Sequence, residues 1–155
     1  MAIRKIVTID ENEELLRKKS KPVTSFDQRL ATLIDDMYAT MLKADGVGLA
    51  AIQVGILKRV VVIETQEDGY YEFVNPVIVE QSKEENTTAE GCLSVPGKMG
   101  MVSRPQTVKV KYQDRNGNPL EKTFNGFTAK AVCHELDHLD GIVYIDKAVE
   151  VEEEE

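Results

Sequence analysis

Residues 134 to 138 read His, Glu, Leu, Asp, His. On a helix, imidazoles at i and i+4 project from one face and can close on a single cation. His134 and His138 are the only histidines in the chain, and both stand in this motif. Glu135 lies one residue on, near enough to such an ion to move protons without ligating it. The set suits metal-assisted hydrolysis, in which a divalent cation makes water nucleophilic near neutral pH and an adjacent carboxylate takes the proton.

Two ligands do not make a catalytic site, because zinc or iron usually takes three protein ligands and keeps one position for water. Many metallopeptidases find the third downstream of the helix, but no further histidine exists and only 17 residues follow His138. Cys92, in the run Glu90, Gly91, Cys92, Leu93, Ser94, is a candidate, since its thiolate would complete a Cys and two His set and Gly91 would let backbone approach an ion closely. A cysteine taken alone is more often a small buried hydrophobe. Cys133, one residue before His134, would point about 100° away around the helix and reads as core.

These residues need elements to hold them. A helix over about Thr128 to Leu139 follows the turn signal Asn125–Gly126 and ends before Asp140–Gly141. A second, amphipathic helix over about residues 26 to 43 carries Phe26, Leu30, Leu33, Ile34, Met37 and Met41 at helical intervals, with Ser25 and Gln28 at capping-box spacing. The small-residue stretch Gly46 to Ala51, followed by Gln53, implies a loop passing close beneath another group. Arg59 to Glu64 reads as a strand from its β-branched run. Tyr71 to Val79, broken by Asn75 and Pro76, and Thr87 to Val95 are extended; Thr107 to Gln113 alternates, with Val108, Val110 and Tyr112 on one face. Asn116–Gly117 supplies hairpin chemistry before a strand near Leu120 to Phe124. The pattern is α+β: antiparallel sheets around a central metal-binding helix, with an N-terminal amphipathic helix.

At 155 residues, 42% hydrophobic and 30% charged, the chain has the size and composition of one globular domain. It is expected to form a single catalytic domain over residues 1–147 with an acidic tail over 148–155. Most of the net charge of −8 lies in that tail, where Glu150, Glu152, Glu153, Glu154 and Glu155 read as a solvated, frayed terminus. An acidic balance argues against coating nucleic acid. No apolar run approaches the roughly 20 residues of a membrane span, and MAIRKIVTID lacks the apolar region of a signal peptide, so the cytoplasm is the expected compartment.

Three segments, GVGLAAIQ at 46–53, EGCLS at 90–94 and HELDH at 134–138, in this order and at these spacings, resemble the three signature motifs of the peptide deformylases. The resemblance extends more loosely over about residues 3–147, through KPV at 21–23, Asn75 with Pro76, and Arg104 with Pro105. It implies a cation held by Cys92, His134 and His138. Ligand chemistry alone would favour zinc, whereas the resemblance implies ferrous iron, replaceable by zinc, nickel or cobalt. The implied reaction is hydrolytic removal of the formyl group from N-formylmethionyl nascent chains, releasing formate, with Glu135 passing the proton to the departing amine. Gln53, through its side-chain amide, and Leu93, through its backbone N–H, are implied as donors to the developing oxyanion.

By the same resemblance, Gly48 would expose backbone for pairing with an extended peptide, Val47 would wall the methionine pocket, and Glu90 would lie behind the ligands or in the pocket. Arg104 would contact substrate backbone beyond formylmethionine, and Asp137 is either behind the ligands or on the surface. Lys130 shares a face with His134; if its charge reached the cleft rim, substrates with an acidic second or third residue would be favoured. Because only DKAVEVEEEE follows Ile145, docking on the ribosome through a basic C-terminal helix is not expected, and ribosome proximity would be transient. The chain is expected to be a monomer. Two other readings are an amidase acting on other N-acyl substrates and a metal-binding regulatory protein, which would need neither Glu135 nor Gln53.

Overall fold

In chain order, the computed structural model, which describes residues 1–153, runs α1 (Ile9–Leu16), α2 (Gln28–Lys43), β1 (Gly48–Ala50), a 3-10 turn (Ala51–Val54), β2 (Val60–Thr65), β3 (Gly69–Gln81), β4 (Glu85–Cys92), β5 (Val95–Pro105), β6 (Thr107–Gln113), β7 (Pro119–Asn125), α3 (Gly126–Leu139), a second 3-10 turn (Tyr144–Asp146) and β8 (Glu150–Glu153). The strands make two antiparallel sheets, one ordered β1-β2-β3-β6-β7 and the other β4-β5-β8. The α+β arrangement around a central α3 is as expected.

Strand β2 explains how α3 becomes central. Val61 and Ile63 pack with Ala129, Val132, Leu136 and Leu139 of α3, while Val60 and Val62 pack with Leu30, Leu33, Ile34, Met37 and Met41 of α2. Covered on both faces, the strand is apolar at successive positions rather than alternating, which is why RVVVIE stood out. The next strand pair over, β3 and β6, supplies Phe73 and Tyr112, whose rings meet edge to face at 4.6 Å. Val95, Val102, Val143 and Tyr144 form a smaller core under the second sheet.

Several expectations change in detail. Helix α2 is capped by Asp27, whose carboxylate accepts the Leu30 N–H at 3.1 Å, rather than by Ser25; the acid sits one residue before the first turn and is the stronger acceptor. Asn75 and Pro76 do not end β3. They form a bulge between Val74 and Val77, with Asn75 at φ 51° and its side chain bonded to Val23 and Gln113. The extended stretch expected over 87–95 is two strands, folded back at Leu93–Ser94 so that Cys92 pairs with Val95. Helix α1, interrupted at Asn12, and most of β5 carried no periodic signal.

The tail is also corrected. Glu150–Glu153 pairs with Lys98–Met101 as β8, because an edge strand offers unpaired backbone groups whatever the charge of the side chains that meet it. Glu154 and Glu155 lie outside the described residues.

Candidate metal centre

Helix α3 begins after Asn125, whose backbone is extended, and stops at Asp140 before Gly141. Gly141 has φ +75°, and a Cβ there would stand 2.3 Å from the Arg17 carbonyl oxygen, so the chain leaving the helix needs glycine. With Ala129, Val132, Cys133 and Leu136 against the large sheet, Lys130, His134 and Glu135 line a cleft of about 560 Å³. His134 is 8% exposed and His138 1%.

Cys92 arrives from the end of β4. Its Sγ lies 3.3 Å from His138 Nε2, and the donor atoms of Cys92, His134 and His138 all fall within 4.8 Å of one another. A thiolate and two imidazoles at that separation suit one divalent transition-metal ion. Gly91 leaves room for Met99, since a Cβ there would sit 2.7 Å from Met99 Sδ.

Which nitrogen of His134 can ligate follows from its neighbour. Nδ1 lies 2.8 Å from Glu90 Oε1. Burial would raise the Glu90 carboxyl, but hydrogen bonds from His134 and Arg104 hold it down at about 2, so it is ionised and can only accept. The proton therefore sits on Nδ1, leaving the Nε2 lone pair toward the cluster. Arg104 fixes Glu90 in turn, donating from Nε at 3.0 Å and from Nη2 at 2.9 Å, and donates from Nη1 to Asp137 Oδ2 at 2.6 Å.

Glu135 stands beside the ligands, with Oε2 4.0 Å from His134 Nε2. Burial pushes its carboxyl up to about 7, and Oε1 has no hydrogen-bond partner among the described residues. A buried carboxyl of that kind is suited to exchanging protons near neutral pH. Gly48 makes room for it, since a Cβ on residue 48 would lie 2.6 Å from Glu135 Oε2 and 2.7 Å from its Cγ. Gly48→Ala is therefore expected to displace the carboxylate and lower kcat/KM about 100-fold, with the folded state retained by circular dichroism.

Across the cleft, Gln53 is held by both ends of its amide. Its Oε1 accepts the Ala50 N–H at 2.9 Å, and Nε2 donates to Ser94 Oγ at 3.1 Å while lying 3.6 Å from Cys92 Sγ. Leu93, Val47, Gly48 and Glu90 also line the cleft. Arg104 does not. It is 3% exposed, with its guanidinium closed on Glu90 and Asp137, so the expected substrate contact is corrected to a support behind His134. The Lys130 ammonium is turned across to β4, bonding Thr88 Oγ1 at 3.0 Å and the Ala89 carbonyl at 3.3 Å, instead of projecting at the rim. Ser94, which orients Gln53, and Tyr144, which stacks on His134 with ring centroids 5.9 Å apart, were not singled out in the sequence. The run EGCLS could have pointed to Ser94; nothing local points to Tyr144.

The family model described as polypeptide deformylase matches residues 3–154. The chain belongs to the polypeptide deformylase family. It is 56% identical over 155 residues to the peptide deformylase of Caldicellulosiruptor bescii, covering 100% of this chain and 91% of that one. It is 50% identical over 156 residues to that of Finegoldia magna, covering 100% and 95%. Among solved structures it is similar to the peptide deformylase of Thermotoga maritima, with a TM-score of 0.92, 39% identity, and coverage of 97% of this chain and 100% of that chain.

The ion-pair cluster behind His134 carries its own prediction. Arg104→Met leaves the Glu90 carboxylate, 4% exposed, without its bidentate partner. Removing one member of a buried pair is expected to cost about 3–5 kcal/mol, read as a shift of the urea midpoint at unchanged slope. A loss under about 1 kcal/mol would show the cluster to be solvated.

Proposed function

We propose that this chain hydrolyses the formyl amide of N-formylmethionyl peptides at one divalent cation held by Cys92, His134 and His138. The observation that carries the reading is the convergence of these three donors within 4.8 Å beside Glu135, whose Oε1 has no partner among the described residues. When bound, the cation polarises the formyl carbonyl and brings the pKa of a water toward neutrality. Glu135 takes the proton released as water adds to the formyl carbon and gives it to the departing amine, so that formate and a free N-terminus result. The Gln53 Nε2–H and the Leu93 backbone N–H are the donors that would stabilise the charge gathering on the carbonyl oxygen. Glu90 holds the His134 proton on Nδ1, with Arg104 and Asp137 behind it. Strand β1 ends the large sheet, so its outer edge can pair with an extended peptide beside Val47 and Gly48.

Ferrous iron is the proposed native ion, with zinc, nickel and cobalt as replacements, all within the range of a thiolate and two imidazoles. Among the described residues no helix is long and apolar enough to cross a membrane. We place the enzyme in the cytoplasm as a monomer, with nascent chains as substrates and only transient proximity to the ribosome. Residues 1–147 carry the catalytic unit, and β8 pairs along it.

Anaerobically purified protein incubated with formyl-Met-Ala and acetyl-Met-Ala tests the reading, with metal analysis of the same sample. Formate release with little acetate is expected. Preference for the acetyl peptide would make the chain a different amidase, and no hydrolysis by metal-replete protein would overturn the reading. Loss of activity in air favours iron over zinc, and the metal analysis names the ion.

A further inference from the structure

Lys130 lies one helical turn before His134 and lines the same cleft. Its ammonium bonds two neutral oxygens, Thr88 Oγ1 and the Ala89 carbonyl, and stands 5.0 Å from the centre of the Phe127 ring. Among the described residues no carboxylate lies within ion-pair distance of it. An ammonium has three N–H donors, and two are directed at β4, so one is available to a group entering the cleft. Val47, Phe127 and Ala131 are among the apolar residues that line the same cleft.

A substrate with its formyl carbon at the Cys92, His134 and His138 cluster has its first Cα two bonds away. One turn of α3 spans about 5.4 Å. An unbranched side chain of four heavy atoms covers a similar length, so a first side chain directed along α3 toward its N-terminus would reach the level of Lys130. A thioether there is tolerated, because the ammonium already has two oxygen partners on β4 and its remaining N–H is not buried against an apolar wall. A thioether bearing one oxygen would gain a charge-assisted hydrogen bond that an apolar pocket cannot offer. A carboxylate would be less suitable, since Glu90 and Glu135 stand on the same cleft.

We infer that this cleft also accepts peptides whose first residue is N-formylmethionine sulfoxide, with Lys130 donating to the sulfoxide oxygen. The inference rests on the deformylase reading. The reaction is the same: water adds to the formyl carbon, the C–N bond breaks, the proton passes to the amine and formate leaves. The sulfoxide is neither oxidised nor reduced, so oxidised initiator residues are unmasked without prior repair.

The test compares kcat/KM for N-formyl-Met-Ala and its sulfoxide in the parent, Lys130→Ile and Lys130→Arg. The ratio of the two substrates within one sample is independent of the fraction of active protein. In the parent the sulfoxide is expected within about tenfold of the thioether, and Lys130→Ile is expected to lower the ratio about 10- to 100-fold, the range of one hydrogen bond to a charged group. Lys130→Arg, which keeps a donor, is expected to restore most of it. A ratio that Lys130→Ile leaves unchanged overturns the inference while the deformylase reading stands. No formate from the thioether peptide with the metal-replete parent overturns that reading itself.

Discussion

Glu135→Gln is expected to lower kcat/KM on formyl-Met-Ala by roughly a thousandfold, within the usual range for losing a positioned acid–base group. The amide has the size of the carboxyl but cannot accept the water proton or deliver it to the amine. Because Glu135 is not among the three converging donors, metal content measured on the same sample should match the parent. Stability should hold or rise, since the native carboxyl is 5% exposed and one of its oxygens has no partner among the described residues. A stability–activity trade of this kind marks a group retained for chemistry. Activity within tenfold of the parent would remove Glu135 from the proton path.

Cys92→Ala should abolish turnover by a different route, through loss of the ion. Two imidazoles alone hold a divalent cation far more weakly than three protein ligands do. The variant is expected to purify with little metal and to retain less than about a thousandth of parental activity. The Sγ also lies 3.3 Å from His138 Nε2 and 3.6 Å from Gln53 Nε2, so its removal leaves both without that neighbour. Cys133→Ala is the control. Cys133 is packed among Val132, Leu136 and the large sheet, and burial pushes its thiol up to about 11, far from the thiolate a ligand requires. That variant should keep its metal while losing some stability. Equal metal loss in both would mean that the ligand assignment of Cys92 is wrong.

The two predictions separate the roles that a single helix turn combines. Glu135 and His134 are adjacent in the chain, yet one is expected to govern proton transfer and the other metal content. Gly48 links them to the rest of the fold, because it is the missing side chain on β1 that allows Glu135 to occupy its position.

Much of the site was legible in local patterns. The i, i+4 histidines could be read directly, since helix geometry alone places them on one face. The apolar run of β2 and the alternation of β6 identified strands for the same reason: their periods follow from which faces are covered. What was misread depended on contacts across the chain. Arg104 was expected as a substrate contact from the resemblance, and only the fold brings Glu90 and Asp137 to either side of its guanidinium. The acidic tail was read as a solvated, frayed terminus, whereas Glu150–Glu153 pairs with β5.

By itself, then, the sequence determined the donor types, the helix that carries two of them, and the glutamate between, because these depend on residue chemistry and on spacings within one turn. The sequence also offered Cys92, 42 residues before His134, as the third donor, but only the tertiary structure brings its Sγ within 4.8 Å of the two imidazoles, sets Glu90 against His134 Nδ1, and uses Gly48 to make room for Glu135. Those relations join β1, β4 and α3, elements far apart in the chain, and strand pairing and core packing bring them together. Two histidines and a glutamate on one helix thereby become part of a cluster of three converging donors with a buried carboxyl beside it.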